Sequence, residues 1–369
     1  MEQLFVGASL RLARLFSGLT LEELAEKVGK SKQFIHKLET NIDRPTETLA
    51  AQLAASLGVL PTFFYEINPN TLVEEQIHFR KLRATKVAVK HKAIAKAEFL
   101  KQLINFCEQR LILPNIGYID RSVHSLEDIE QAAEDLRAHF ELGYGPIKNI
   151  TRVAENAGTF VTTFRELSSD VDALSISCAR PLIVRNEHER YSCRLRFDIA
   201  HEIGHFVMHA GIQTGDRQTE SEANRFAGAF LLPRRSFAKE FPISSSKRIS
   251  WKALAELKLR WGASKAALLM RGRQLHLIDD YQLKGAFISL KNTGQAKKEH
   301  EDDSIEIERP VLLDKAIRFI TRHYSMSLDD MARELRVTPR YITEFLSQET
   351  IDELTLPAGV TRMPNLRLV

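Results

Sequence analysis

The five residues His201-Glu202-Ile203-Gly204-His205 restrict the fold and the chemistry of this chain more than any other feature. On an α-helix, residues four apart lie about 40° from one another around the axis, so both imidazoles can meet one cation. Glu202 stands beside that face, within reach of a water molecule next to the cation. Zinc takes nitrogen ligands in tetrahedral geometry, and a site with three protein ligands keeps one position open. It also brings the pKa of water towards neutrality, where a nearby carboxylate can take the proton. Phe197, Ile199, Ala200, Phe206 and Val207 flank the motif and predict a buried helix over 198–209, with Asp198 as its cap.

Such a site needs a third protein ligand. Glu220 and Asn224 lie four apart on a helix expected over 220–232, so one can bind the metal while the other orients a ligand. Glu222 points about 200° away from Glu220, so only one of the two can face the metal. His209, four residues beyond His205, would close the site as a fourth nitrogen ligand; packing, or orienting a ligand, is the reading adopted.

The chain has 369 residues, room for two or three domains with separate cores. Apolar residues at 44% and charged residues at 27% are ordinary globular values and exclude wholesale disorder. The net charge of +4 is small for this length, so its distribution matters more than its sum. Three cysteines, Cys107, Cys178 and Cys193, form no Cys-x-x-Cys pair, which excludes a disulfide scaffold and a cysteine-rich zinc site. Glu2, with no long apolar core after it, reads against a signal peptide, and no run approaches a membrane span. The expectation is a reduced, cytoplasmic protein with no membrane partner.

Periodicity divides the chain into five segments. Residues 1–67 read as an all-α bundle of short helices, with Ser31 and Thr46 at helix starts and Gly58 at a helix end. Residues 68–121 read as a basic helical linker, with eight Lys or Arg and one acid, Glu98, between His78 and Lys101. Residues 122–280 read as an α+β domain. Helices are expected there over 126–140 and 147–156, then strands over 159–164, 173–178 and 181–184, then the two helices of the metal site. The strand over 173–178 is a candidate edge for holding a substrate backbone. Residues 281–309 read as a charged, flexible connector, and 310–369 as a small α-helical module with a helix-turn-helix pattern.

Two resemblances sharpen this reading. The run Arg194-x-Arg196-Phe197-Asp198-Ile199-Ala200-HEIGH-x3-His209 resembles the ImmA/IrrE metallopeptidases, as does Glu220-x3-Asn224-x-Phe226-Ala227-x3-Leu231-Leu232-Pro233. The likeness spans residues 78–277. It implies a zincin-like (thermolysin-like) domain with Zn2+ on His201, His205 and Glu220, Glu202 as general base, and peptide hydrolysis. It also implies a protein substrate of the repressor or antitoxin kind, cut to switch on stress, defence or mobile-element genes. The short helical end departs from the larger sensor-like domain of the best-known stress-response members. A transcription factor whose zinc domain senses or holds structure without turnover is the competing class.

Residues 8–65 resemble the XRE (Cro/repressor-type) helix-turn-helix domain through Leu24-Ala25, Val28-Gly29, Ser31-x3-Ile35, Leu38-Glu39, Pro45, Leu49, Ala54 and Leu57-Gly58. That geometry places Lys32, Gln33 and His36 at base edges of double-stranded operator DNA, with Ser31 capping near a phosphate. Arg11, Arg14, Asn41 and Arg44 are the candidate phosphate contacts. Leu21 and Glu22 stand where many members carry a phosphate-touching Gln, which makes protein association the rival role. Two-fold operators lead to the expectation of a homodimer.

Overall fold

The computed structural model describes residues 4–65, 77–79, 87–164, 173–176, 180–186, 191–212, 214–242 and 249–355. Four helices open the chain: α1 (Gly7–Phe16), α2 (Leu21–Lys27), α3 (Lys32–Glu39) and α4 (Glu47–Leu57), then a 3-10 turn at Pro61–Tyr65. Thr20, Ser31 and Thr46 each accept a hydrogen bond from the backbone N–H three residues on, satisfying donors that a helix start leaves open. Gly58 ends α4 at φ 71°, a left-handed conformation that glycine adopts without strain. Leu10, Leu24, Ile35, Leu38 and Leu53 are fully buried between these helices.

Next come β1 (Ile77–Phe79), α5 (Val87–Glu108), α6 (Leu126–His139), α7 (Ile150–Asn156), β2 (Phe160–Phe164), β3 (Ala173–Ile176) and β4 (Leu182–Asn186). Helices α8 (Ser192–Met208), α9 (Arg217–Leu231), α10 (Arg234–Glu240), α11 (Trp251–Trp261), α12 (Lys265–Gln274) and α13 (Asp280–Asn292) follow. The last are α14 (Leu312–His323), α15 (Leu328–Glu334), α16 (Pro339–Thr343) and α17 (Gln348–Thr355). Among the described residues no helix is long and apolar enough to cross a membrane.

Contacts group the chain into two units that cut across the linear division. One holds Met1–Thr71, His91–Ile112 and Leu312–Val369; the other holds Leu72–Lys90 and Leu113–Val311. In the first, α5 is a core helix rather than a solvated linker: Ala93, Ala97, Leu100 and Leu103 are fully buried, and its Lys96 meets Glu344 out of solvent. The C-terminal helices pack into the same unit. Tyr341 stacks on Phe16 with ring centroids 4.0 Å apart, Phe99 approaches it edge-on at 4.9 Å, and its hydroxyl donates to the Leu57 carbonyl at 3.0 Å. Backbone N–H groups of Leu60 and Thr338 donate to the carbonyls of Arg336 and Gly58. The helix-turn-helix pattern of α15 and α16 thus buries Tyr341 and Ile342 against the N-terminal helices. A five-residue helix cannot enclose a core alone.

The second unit carries a four-stranded sheet in the order β1-β3-β4-β2, with β2 and β4 parallel and the other pairs antiparallel. Strand β3 lies inside the sheet, so both its ladder sides are taken and it offers no edge to a substrate. The edges are β1 and β2; residues 77–79, expected helical, pair as a strand because β3 presents a free ladder there. Helix α8 starts six residues before Asp198, which is buried in its interior, and Tyr191 stands at the N-cap position. Helix α7 starts at Ile150, where Asn149 supplies the cap, three residues later than expected.

The stretch expected as a flexible connector is helical over α13 and then pinned. The fully buried Lys258 ammonium contacts Glu299 at 2.6 Å and Asp302; Lys265 meets Glu301 at 2.7 Å. Glu308 pairs with Arg196 and accepts from the Thr151 N–H at 2.8 Å. Charges that look solvated in the sequence are here satisfied by buried partners far along the chain.

Candidate functional site

Helix α8 is buried on two sides. Ile199, Ala200, Ile203 and Val207 face the core, where α9 adds Phe226, Ala227 and Phe230 and α6 adds Ala133 and Leu136. The spacing of that stripe leaves His201 and His205 together on another face. Gly204 sets how closely α8 and α9 approach: a Cβ there would stand 3.0 Å from Cδ1 of Phe226. That close approach brings Glu220, one turn into α9, against the two imidazoles.

Nε2 of His201 and Nε2 of His205 are 3.1 Å apart, and each lies 3.4 Å from a Glu220 carboxylate oxygen. The three residues form a group whose ligand atoms all lie within 4.8 Å of one another. A tetrahedral ion bound at zinc's usual ligand distances needs ligand-to-ligand edges of about 3.3 Å, so these residues fit it. Burial raises the Glu220 carboxyl's pKa, but its contacts with the two imidazoles outweigh that and hold it below the usual carboxylate range.

The outer ring nitrogens are also engaged. His201 Nδ1 lies 3.1 Å from Asn224 Oδ1, which can only accept, so with an ion bound Nδ1 would carry the proton and leave the Nε2 lone pair for the ion. His205 Nδ1 lies 2.9 Å from His209 Nδ1, and His209 Nε2 lies 2.9 Å from Glu222 Oε2. One proton assignment satisfies this chain: Glu222 accepts from His209, and His209 accepts from His205. With an ion bound, Nε2 of His205 would then also present its lone pair to it. Glu222 was invisible to helical spacing as a participant; its angle away from Glu220 is what takes it to His209. Glu202 is 2% exposed, and its Oε2 has no hydrogen-bond partner among the described residues. A buried carboxylate oxygen without a donor is expensive, and a water bound beside this group would supply one.

In the helical domain, Ser31 caps α3, whose Ile35 and Leu38 face inward while Lys32, Gln33 and His36 are exposed together. Lys32 contacts Glu22, with both side chains about half exposed. Arg11 and Arg44 are exposed. Asn41 holds a left-handed turn at φ 58°, and its Oδ1 accepts from the Gly7 N–H at 2.7 Å. Arg14 departs from the expectation of a phosphate contact. It is buried, its guanidinium donates to Glu39 at 2.6 and 3.0 Å and to the Leu19 carbonyl at 2.7 Å, and it ties α1 to α3.

Two family models match segments of the chain. Residues 154–272 match the IrrE N-terminal-like domain, a peptidase family model, and residues 10–64 match a helix-turn-helix model. No curated protein matches the chain. The matched peptidase segment contains α8, α9 and the whole His/Glu group, although α6, which packs on α9, lies outside it. The chain therefore combines an N-terminal helix-turn-helix domain of XRE type with a metallopeptidase-type domain of the ImmA/IrrE kind, in that order.

Proposed function

We propose that this chain is a zinc-dependent endopeptidase of the gluzincin type, targeted by its helix-turn-helix domain to operator DNA. Its substrate is a repressor or antitoxin-type DNA-binding protein, or the chain itself, whose cleavage switches on stress, defence or mobile-element genes. The observation that carries this reading is Glu202: a buried carboxylate oxygen without a donor, one residue from a converging His/His/Glu group. A purely structural metal site has no use for such a base.

His201, His205 and Glu220 would hold the metal. Zinc there supplies Lewis-acid polarisation of the scissile carbonyl and a lowered pKa for water. Glu202 takes the proton from the attacking water and passes it to the leaving amine nitrogen. Asn224 keeps the His201 ring turned, and Glu222 through His209 does the same for His205. Full-length protein should carry about one zinc per chain by elemental analysis and cleave a repressor encoded beside its gene. Zinc with no cleavage of any candidate, or of the chain, would favour a DNA-binding regulator whose zinc domain senses a signal.

On the DNA side, Lys32, Gln33 and His36 read base edges, and Arg11 and Arg44 contact phosphate, on a two-fold site bound by a dimer. Alanine at Gln33 should weaken operator binding by about tenfold or more and relax preference at one base position. Alanine at Arg44 should weaken all sequences alike and flatten the salt dependence by about one unit of slope. Gel-shift titrations at several salt concentrations read both; unchanged affinity in both variants would assign the domain to protein association.

A further inference from the structure

The Glu220 and Asn224 side of α9 opens into a cavity of about 820 Å³. Its lining includes Phe197 and Met270 as apolar surface, and Arg194, Arg217, Arg225 and Lys297 as cations. Three of the four acids in its wall are committed elsewhere, and the fourth, Asp198, is 2% exposed. Glu299 and Asp302 are held by the buried Lys258, and Glu220 belongs to the His/Glu group. Arg271, also in the wall, is saturated by Glu130, two contacts at 2.6 Å each.

Arg225 is not. Among the described residues its one ion pair is at 3.2 Å, to a Glu130 oxygen that Arg271 already occupies, and its buried Nε–H has no acceptor. Arg217 and Lys297 are exposed and have no described ion-pair partner. A guanidinium with an unused N–H, behind two exposed cations and beside apolar surface, is complementary to a carboxylate on a short hydrocarbon stem.

We propose that this cavity is a specificity pocket for an acidic side chain of the substrate polypeptide, read by Arg225 and attracted by Arg217 and Lys297. The proposal rests on the peptidase reading and names its substrate class. An Asp or Glu near the scissile bond enters beside Glu220, pairs with the part-exposed Arg225 guanidinium, and lays its methylenes on Phe197 and Met270. A cavity of this volume is of the size that takes a peptide side chain with its neighbours.

The test uses full-length, zinc-loaded Glu202→Gln protein and fluorescein-labelled peptides differing at one central position: Glu, Gln or Lys. Fluorescence anisotropy should show the Glu peptide binding about tenfold more tightly than the Gln peptide, an advantage that shrinks with added salt. Arg225→Gln should remove most of that preference. Should Arg225→Gln unfold, the exposed double variant Arg217→Glu, Lys297→Glu keeps the test open, and its preference should shift towards the Lys peptide. Equal binding of all three peptides, no binding of any, or a preference untouched by the double variant overturns the proposal. Cleavage by the wild type is read separately. Acid-selective binding without cleavage sinks the peptidase and keeps the pocket; cleavage without acid selectivity does the reverse.

Discussion

Replacing Glu202 with Gln should lower the rate of substrate cleavage by about 100- to 10,000-fold while leaving one metal ion per chain. The substitution keeps size and shape in a position that is 2% exposed, so the surrounding packing has no reason to change. What it removes is basicity. An amide cannot accept the proton of the attacking water, and the three ligand atoms, all on other residues, stay where they are. Elemental analysis, a thermal melt and a cleavage time course on the same preparation separate the outcomes. Retained activity would remove Glu202 from the chemistry. Loss of the metal would mean that it is needed to build the site.

The second large effect is expected far from the site. Tyr341→Ala should destabilise the helical unit by about 3–5 kcal/mol, the usual cost of removing a large buried aromatic ring. The ring is 2% exposed, lies flat on Phe16 and edge-on to Phe99, and its loss also leaves the Leu57 carbonyl with only the longer Ser17 hydroxyl contact at 3.4 Å. Against a total of about 5–15 kcal/mol for an ordinary domain, that is a large share. DNA affinity should fall with it, because α1, which carries Phe16, packs against α3. Two units need not melt together, so the expected signature is an early transition moving down while the peptidase transition and the metal content hold. Tyr341→Phe keeps the stack and should cost only about 1 kcal/mol. A Tyr341→Ala chain that melts and binds operator like the wild type would show that the N-terminal helices need no brace.

Features that depend on neighbours within a turn or two were legible in the sequence. The pairing of His201 with His205, the caps Ser31 and Thr46 and the stop at Gly58 follow from helical spacing and backbone chemistry. The shared face of Glu220 and Asn224 was equally readable, because both lie on one helix. Features set by the meeting of distant segments were not. Arg14 looks like any surface arginine until Glu39 is placed beside it, 25 residues on. Glu222 gains its place only when α9 crosses α8 and delivers it to His209. The charged run after α13 resembles disorder because Lys258 and Arg196, which neutralise it, belong to other helices. The position of β3 inside the sheet depends on three residues of β1 that carry no strand pattern of their own.

The helical unit closes late in the life of each molecule. The Tyr341 hydroxyl that meets the Leu57 carbonyl is made 284 residues after it. At translation rates of about 5–20 residues per second, roughly 15–60 s separate the two ends of that contact on the ribosome. During that interval Phe16 waits without its stacking partner while the whole peptidase segment is synthesised. A truncated product ending inside that segment would carry α3 on an unfinished frame. Only a chain synthesised through its peptidase segment can lay Tyr341 on Phe16, so a fully packed helix-turn-helix unit marks a finished molecule.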